Sequence, residues 1–484
     1  YTCGRRTTRM RPGWRLGFQT QREELRDVAL DTASPFPEWL DGTLVCNGPG
    51  QFEVGDTALT HWFDPLAMLR GFRFDDGGVR YTNRFVRSDD FRVAREHGKI
   101  RRSLPGTPAD GSGVMRAYRA LTGAFQDNPS IGVTKLGGRL YAVTEGPIGI
   151  EVDPETLETI GRRDLTTGLD ANSTLGHTHV EDGTQWGLAA EFGRRSAYTL
   201  FRRDGDDTPE AVTRLVFDSH PPYVHSFALT ERYAVVPAST VGIDFGRLAR
   251  GLVRGATFLD AVAPRDAEPS FHVLDRATGE QVAVVPAAAF FIYHFANAYE
   301  DGNEIVVDAV TFADETAITG LTLSNLRSDT PDLPRGDFVR FRLPLDGGSA
   351  RRERLLRGPV EFPTINYGRR NGRPYRYAYL AATERGSLPT AIAKVDLDGP
   401  TTRTWSAPGV YPGEPVFVPV PTESEEDDGV LLSLALDTRS ERSVLLCLDA
   451  ETLTERSRAV LPHRLPYGFH GQYYGPTDDG RSMA

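Results

Sequence analysis

The 484-residue sequence predicts an all-β fold, a seven-bladed β-propeller, and three observations carry that prediction. Proline and glycine (33 and 49 residues) punctuate the whole chain, with no long amphipathic helical pattern between them. An apolar strand, an Asp-containing turn and a second strand recur seven times. Four histidines stand far apart, each in a short frame of aromatic and small residues, as ligands carried by separate structural units would.

The seven turns follow one another at Asp76 (FRFDDGGVRYTNRFV), Asp153 (EVDPETLETI), Asp204 (LFRRDGDDTPEAVTRLVF), Asp275 (HVLDRATGEQVAVV), Asp346 (FRLPLDGGSARRERLL), Asp396 (KVDLDGPTTRTW) and Asp449 (CLDAETLTERSRAV). Asp and Gly suit these positions because their short side chains serve turn conformations that β-branched residues resist. The spacings are 77, 51, 71, 71, 50 and 53 residues. A four-stranded blade takes roughly 40–50 residues plus insertions, so the turns read as the outer hairpins of seven blades. Other all-β architectures also offer Asp-turn hairpins. What favours a propeller is that one inner strand per blade surrounds a central axis, where isolated ligands can converge. The expectation is a single domain over residues 1–484, with 1–35 as an N-terminal extension and a few helices and loops capping the face that carries the metal.

Bulk properties exclude several classes. The net charge of −11 argues against nucleic acid as a partner. No run of about 18 uncharged apolar residues is present to span a bilayer. The first residues, YTCGRRTTRM, have a basic flank without the apolar region of a secretory signal. Cys3, Cys46 and Cys447 are too few and too scattered for a disulfide framework, so the expected location is cytoplasmic. Three Lys among 55 basic residues leave 52 Arg, a bias that codon usage or salt adaptation would explain equally and that does not touch mechanism.

The isolated histidines are His177 (LGHTH), His225 (PPYVHSF), His294 (FIYHFANAYE) and His470 (YGFHG), separated by 48, 69 and 176 residues. Such gaps exclude a local zinc-finger or helix-borne motif. Four neutral imidazoles leave a metal its full charge and point to a transition ion rather than calcium or magnesium, without separating iron from zinc. His179 would share a strand face with His177 but stand about 7 Å further along, and is expected to be structural. His61 is read as buried and hydrogen-bonded. His97, His220, His272 and His463 are read as exposed or packing residues.

In order along the chain, PEWLDGTLVCNGPGQFEV, THWFDPLAML, NPSIGVTKLGGRLYAVTEG, GHTHVEDGT, PPYVHSFALT, YHFANAYED, EFPTINY, YPGEPVFVP, EEDDGVLLS and YGFHG resemble the carotenoid cleavage oxygenase family, non-haem iron proteins that include the retinoid isomerohydrolase of the visual cycle. The resemblance runs from about Pro37 to Gly471. It implies that His177, His225, His294 and His470 ligate Fe(2+), and that Glu145, Glu361 and Glu414 orient His225, His294 and His470. An imidazole that binds a metal through one nitrogen donates its other N–H to such a carboxylate, which fixes tautomer and ring orientation. His177 would lack a carboxylate partner.

The chain departs from the family where Arg usually precedes the Asn-Gly-Pro turn, since Cys46 stands there, and at Pro65-Leu66-Ala67 after the WFD motif. Thr144, before Glu145, matches the carotenoid-cleaving relatives, with its methyl beside the open metal site. Stilbene-cleaving relatives carry Lys there, and Lys135 on the neighbouring strand is not expected to replace it. Phe227, Phe295, Tyr299 and Trp62 are expected to line an apolar tunnel. Tyr118, Leu121, Thr122 and Phe125 form one side of a helical stretch over 114–125. A second stretch, 245–262, sets Leu248, Leu252, Val253, Phe258 and Leu259 among Arg247, Arg250 and Arg254. Both suit a membrane interface, making the protein peripheral to the membrane, and suit equally well an ordinary capping helix.

What the resemblance implies is an iron(II)-dependent dioxygenase that cleaves one C=C bond of a carotenoid or apocarotenoid with dioxygen, giving aldehyde or ketone products. Several motifs look closer to the animal branch, for which central cleavage to retinal is the first expectation. The alternatives are a stilbene-cleaving dioxygenase, or a retinoid isomerohydrolase without net oxygenation.

Overall fold

A computed structural model describes residues 13–483 except 122–124, 194, 218–219, 400, 423–424 and 477–481. Seven antiparallel sheets follow one another along the chain as seven blades. Blade 2 is the simplest, with Gly132–Leu136, Arg139–Val143, Ile148–Val152 and Thr159–Asp164 paired in sequence order from axis to rim. Blades 4, 5 and 6 repeat that order, with inner strands Ala228–Leu229, Phe291–Asp301 and Val360–Thr364. In blades 3 and 7 the inner strand is broken in two, Ser173–Thr174 with His179–Glu181 and Val410–Pro412 with Val416–Pro419.

Blade 1 closes the ring. Its inner strand is Gly471–Tyr474, from near the C-terminus, paired with Gly42–Cys46 in the register Thr43↔Tyr474 to Cys46↔Gly471. The sequence had set residues 1–35 apart as an extension, and the structure corrects this for the described part. Leu25–Ala29 pairs with Gly78–Phe85 on the rim of blade 1, and Asp31–Thr32 pairs with Glu455–Val460 on the rim of blade 7. The first is broken by a register shift between Leu25 and Val28, with Asp27 at φ 53°, and the second is only two residues long, so neither shows a period-2 pattern.

All seven Asp turns join the third and fourth strands of a blade. The Asp153 side chain accepts from the N–H groups of Glu155 (3.0 Å) and Thr156 (2.7 Å), and Asp275 from those of Ala277 (3.0 Å) and Thr278 (2.9 Å). The carboxylate thus satisfies the turn's free N–H groups, which is why Asp recurs there. Asp76 instead adopts the left-handed conformation, φ 46°, that Asp tolerates.

Blade stacking supplies the core. Val235, Phe271 and Val273 of blade 4 pack against Ile292, Phe295, Val307 and Phe341 of blade 5, all fully or nearly fully buried. Inner strands are covered on both faces, so Phe291–Asp301 is buried from Phe291 to Tyr299 and reads as a continuous apolar run. Helices Asp89–His97, Gly113–Leu121 and Phe245–Gly251 lie in the connections within and between blades. No helix among the described residues is long and apolar enough to cross a membrane.

Candidate metal centre

The four isolated histidines meet. Their ligand atoms all lie within 4.8 Å of one another, and the group is largely buried. His177 sits in the gap of the broken inner strand of blade 3, His225 three residues before the inner strand of blade 4, His294 inside that of blade 5, and His470 immediately before that of blade 1. The blade 5 strand shifts register between Ile292 and Phe295 and again between Phe295 and Asn297. Bulges of this kind re-aim a side chain, here the His294 imidazole toward the axis.

The three glutamates come from the other three blades. Glu145 follows the second strand of blade 2, Glu361 lies in the inner strand of blade 6, and Glu414 occupies the gap of the broken strand of blade 7. Nδ1–H of His294 donates to Glu361 Oε2 at 2.6 Å, and that of His470 to Glu414 Oε1 at 2.8 Å. His225 donates likewise to Glu145 Oε1. These are the pairings the sequence led us to expect. A carboxylate only accepts, so each bond places the proton on Nδ1 and leaves a lone pair on Nε2. Every blade therefore contributes one residue to a centre of four imidazoles and three carboxylates.

This donor set fits a transition metal. The Nε2 atoms of His177 and His225 are 3.1 Å apart. Two nitrogens bound to one ion at about 2.1 Å stand roughly 3.0–3.4 Å apart at right-angle to tetrahedral geometry. His294 Nε2 is buried without a hydrogen-bond partner, which an ion would supply. Burial, with His470 and His225 close by, holds the His294 imidazole well below its ordinary pKa, keeping it neutral and able to ligate. Burial also pushes the Glu361 carboxyl up to about 7.

A cavity of about 950 Å³ opens onto the histidines and is lined by His225, His294 and His470 at its inner end. Its volume is near the top of the roughly 300–1,000 Å³ range of small-molecule pockets. Thr144 lies on its wall, as do Trp62, Phe63, Phe192, Phe258 and Phe469. The chain over 245–262 folds as Phe245–Gly251, a 3₁₀ turn Leu252–Arg254 and Phe258–Ala261, and turns Leu248, Leu252, Phe258 and Leu259 into the cavity. Beside it Val114, Met115, Tyr118, Phe125 and Val253 are 77, 45, 62, 42 and 59% exposed. Arg247, Arg250 and Arg254 are exposed nearby. Thr122 lies outside the described residues.

Three expected tunnel residues are elsewhere. Phe295 follows His294 on the strand and points into the core between blades 4 and 5. Phe227 is buried with Leu188, Tyr198 and Val236 in the core between blades 3 and 4, against the His179 ring. Tyr299 packs on Tyr375 in the core between blades 5 and 6. Neighbouring strand residues face opposite ways, so proximity in sequence to a ligand does not place a side chain in the site. The other residues behave as expected. His179 bonds Tyr367 Oη (2.6 Å) and the Phe227 carbonyl (3.0 Å), and His61 bonds the Ile318 carbonyl (2.9 Å). Lys135 lies over the Tyr474 ring, away from the cavity wall. Cys46 pairs in register with Arg70, a fully buried guanidinium that donates to the Pro49 carbonyl, so the charge absent at 46 is supplied by the neighbouring strand.

Sequence reasoning missed Tyr223. Its hydroxyl donates to both oxygens of Glu145, at 2.8 and 2.9 Å, and its ring lines the cavity. The only signal was its place two residues before His225 in PPYVH.

Comparison with known proteins agrees with this architecture. The family model described as retinal pigment epithelial membrane protein matches residues 18–475. The mitochondrial carotenoid-cleaving dioxygenase of Mustela putorius furo is 29% identical, over 94% of this chain and 95% of its own. The chloroplastic carotenoid cleavage dioxygenase 8 homolog B of Oryza sativa subsp. japonica is 34% identical, over 94% and 84%. These identities do not favour the animal branch over the plant one. Among solved structures, a variant of Synechocystis apocarotenoid oxygenase superposes with a TM-score of 0.85 at 26% identity, over 96% of this chain and 98% of its own. The cobalt-substituted form of the Synechocystis enzyme gives 0.84 at 27%, with the same coverage.

Proposed function

The chain belongs to the carotenoid cleavage oxygenase family, and on that premise we propose that it is an iron(II)-dependent dioxygenase cleaving one C=C bond of a carotenoid or apocarotenoid. The observation that carries the reading is an apolar cavity of about 950 Å³ that reaches His225, His294 and His470, three of four imidazoles whose ligand nitrogens converge. Ferrous iron held by His177, His225, His294 and His470 would supply the capacity to activate dioxygen. The overall reaction balances without another reductant. One C=C bond and the O=O bond break, two C=O bonds form, and both oxygen atoms leave in the products.

The protein's share is binding, orientation and exclusion of water. Phe63, Phe192, Phe258 and Leu259 hold a polyene by dispersion and hydrophobic contact, and the depth of the cavity selects the double bond that reaches the histidines. Thr144 presents a short side chain on that wall, which favours a polyene over a hydroxystilbene. Glu145, Glu361 and Glu414 fix the imidazoles and offset the metal's charge without occupying its coordination sites. The exposed apolar residues at the mouth, flanked by Arg247, Arg250 and Arg254, suit a membrane surface from which an apolar substrate enters without crossing water.

The experiment is incubation of iron-loaded protein with β-carotene, an apocarotenal, a hydroxystilbene and a retinyl ester under ¹⁸O₂, with mass spectrometry of the products. Two labelled carbonyl products from one polyene, absent in His294→Ala, support the reading, and retinal alone from β-carotene identifies central cleavage. Isomerised retinoid without ¹⁸O contradicts it and selects the isomerohydrolase reading.

A further inference from the structure

The three carboxylates behind the histidines are not anchored alike. Glu414 accepts the main-chain N–H of Gly471 at 2.7 Å as well as the His470 imidazole, and Glu361 accepts the N–H of Phe362 as well as the His294 imidazole. Those second donors are parts of the backbone. Glu145 receives its second donor from a side chain, the Tyr223 hydroxyl.

That hydroxyl is held firmly. Tyr223 is buried, 6% exposed, and follows Pro221 and Pro222. Its N–H donates to the Val241 carbonyl at 2.9 Å, and its ring centroid lies 5.8 Å from that of Phe258 and 6.0 Å from that of Phe291. The last torsion of a glutamate is broad and roughly two-fold, so a carboxylate with one partner can swing about it. A hydroxyl nearly equidistant from both oxygens opposes that swing. The same oxygen lies 3.4 Å from His225 Nδ1, closing a Tyr–Glu–His triangle.

We infer that Tyr223 is a positioning residue for the metal centre, its hydroxyl locking the Glu145 carboxylate and, through it, the His225 imidazole in the ligating orientation. A phenol suits the task because its body continues the apolar cavity wall while only the oxygen reaches the carboxylate. The inference rests on the metal-centre reading above.

The test uses Co(II), whose visible d–d bands report ligand geometry, on the full chain. Wild type, Tyr223→Phe, Glu145→Gln and the double variant are loaded with cobalt, and the spectrum and the loss of metal to a chelator are recorded. His294→Ala serves as the control. Tyr223→Phe keeps the ring and removes one oxygen, so the apoprotein still folds, with an unfolding temperature within about 3 °C of wild type. The expected result is about tenfold weaker cobalt retention with shifted d–d bands, at the low end of effects for groups that orient a ligand. No further loss is expected when Tyr223→Phe is added to Glu145→Gln. Cobalt retention and bands unchanged in Tyr223→Phe, but lost in His294→Ala, overturn this inference alone. So does a Tyr223→Phe loss that persists undiminished in the Glu145→Gln background, because the residue then acts through packing. Cobalt binding that His294→Ala leaves intact overturns the metal-centre reading and this inference together.

Discussion

Glu414 joins two features that other residues keep apart. It orients a candidate ligand, and it ties the broken inner strand of blade 7 to Gly471, the first residue of the strand that closes blade 1. Glu414→Ala removes two hydrogen bonds, to His470 Nδ1 at 2.8 Å and to the Gly471 N–H at 2.7 Å. At the low end of the roughly 1.5–3 kcal/mol that each hydrogen bond to a charged group contributes, the seam should lose about 3 kcal/mol. Unfolding entropy near 2.1 cal/mol/K per residue gives about 1 kcal/mol/K for a 484-residue chain. The metal-free variant should therefore melt about 3 °C lower. Metal affinity should fall about 10–100-fold as well, because the His470 ring loses its orienting partner. Glu361→Ala should match the second effect with a smaller first one, since its second donor is the N–H of the next residue, Phe362, rather than one on another blade. Calorimetry of the metal-free proteins and chelator competition of the loaded ones measure the two quantities separately. Equal melting of metal-free Glu414→Ala and wild type would refute the seam argument, and equal metal affinity would refute the orienting role.

Two other predictions concern the region around the cavity mouth. Asp90 lies against Asp127 and Arg102, and burial followed by the Asp127 charge pushes its carboxyl up to about 7. A carboxyl whose pKa is higher in the folded than in the unfolded chain costs stability as pH rises from about 4 to 7. Asp90→Asn should remove that loss and gain on wild type between pH 5 and 8 in urea midpoint; a difference independent of pH would contradict the assignment. Val114 and Met115 are 77 and 45% exposed, so replacing both by Asp should weaken sedimentation with phosphatidylcholine–phosphatidylserine vesicles by tenfold or more. Arg247→Gln with Arg250→Gln should make the remaining binding less sensitive to salt, each Arg being worth about 1 kcal/mol at an anionic surface.

Much of this molecule is legible in its sequence because the ring turns distant residues into neighbours by a simple rule. Asp turns mark the outer hairpins since only short acceptors satisfy the turn's N–H groups, and all seven marked true hairpins. The four histidines of the centre stand out because each sits in or beside an inner strand, amid residues that are otherwise apolar or small. The cavity wall was harder to read. Phe295 adjoins His294 and Phe227 lies two residues from His225, yet both enter the cores between blades. Phe295 faces the opposite side of a bulged strand, and Phe227 sits in the irregular chain before the inner strand of blade 4. The residues that do line the wall, Phe192, Phe258 and Phe469 among them, come from loops and short helices without a periodic pattern. Tyr223 was invisible for a related reason, since its partner Glu145 is 78 residues away and only the fold brings the two together. The rim strand Leu25–Ala29 was hidden by the bulge at Asp27, which breaks its alternation.

The most direct test of the account is X-ray absorption on anaerobically purified, metal-loaded protein, with metal analysis of wild type and His294→Ala. The account predicts one iron per chain in a shell of four imidazole nitrogens at about 2.1 Å, lost in the variant. A chain that binds no iron, or binds it through carboxylate or thiolate ligands and keeps it in His294→Ala, would contradict the metal centre on which the proposed chemistry stands.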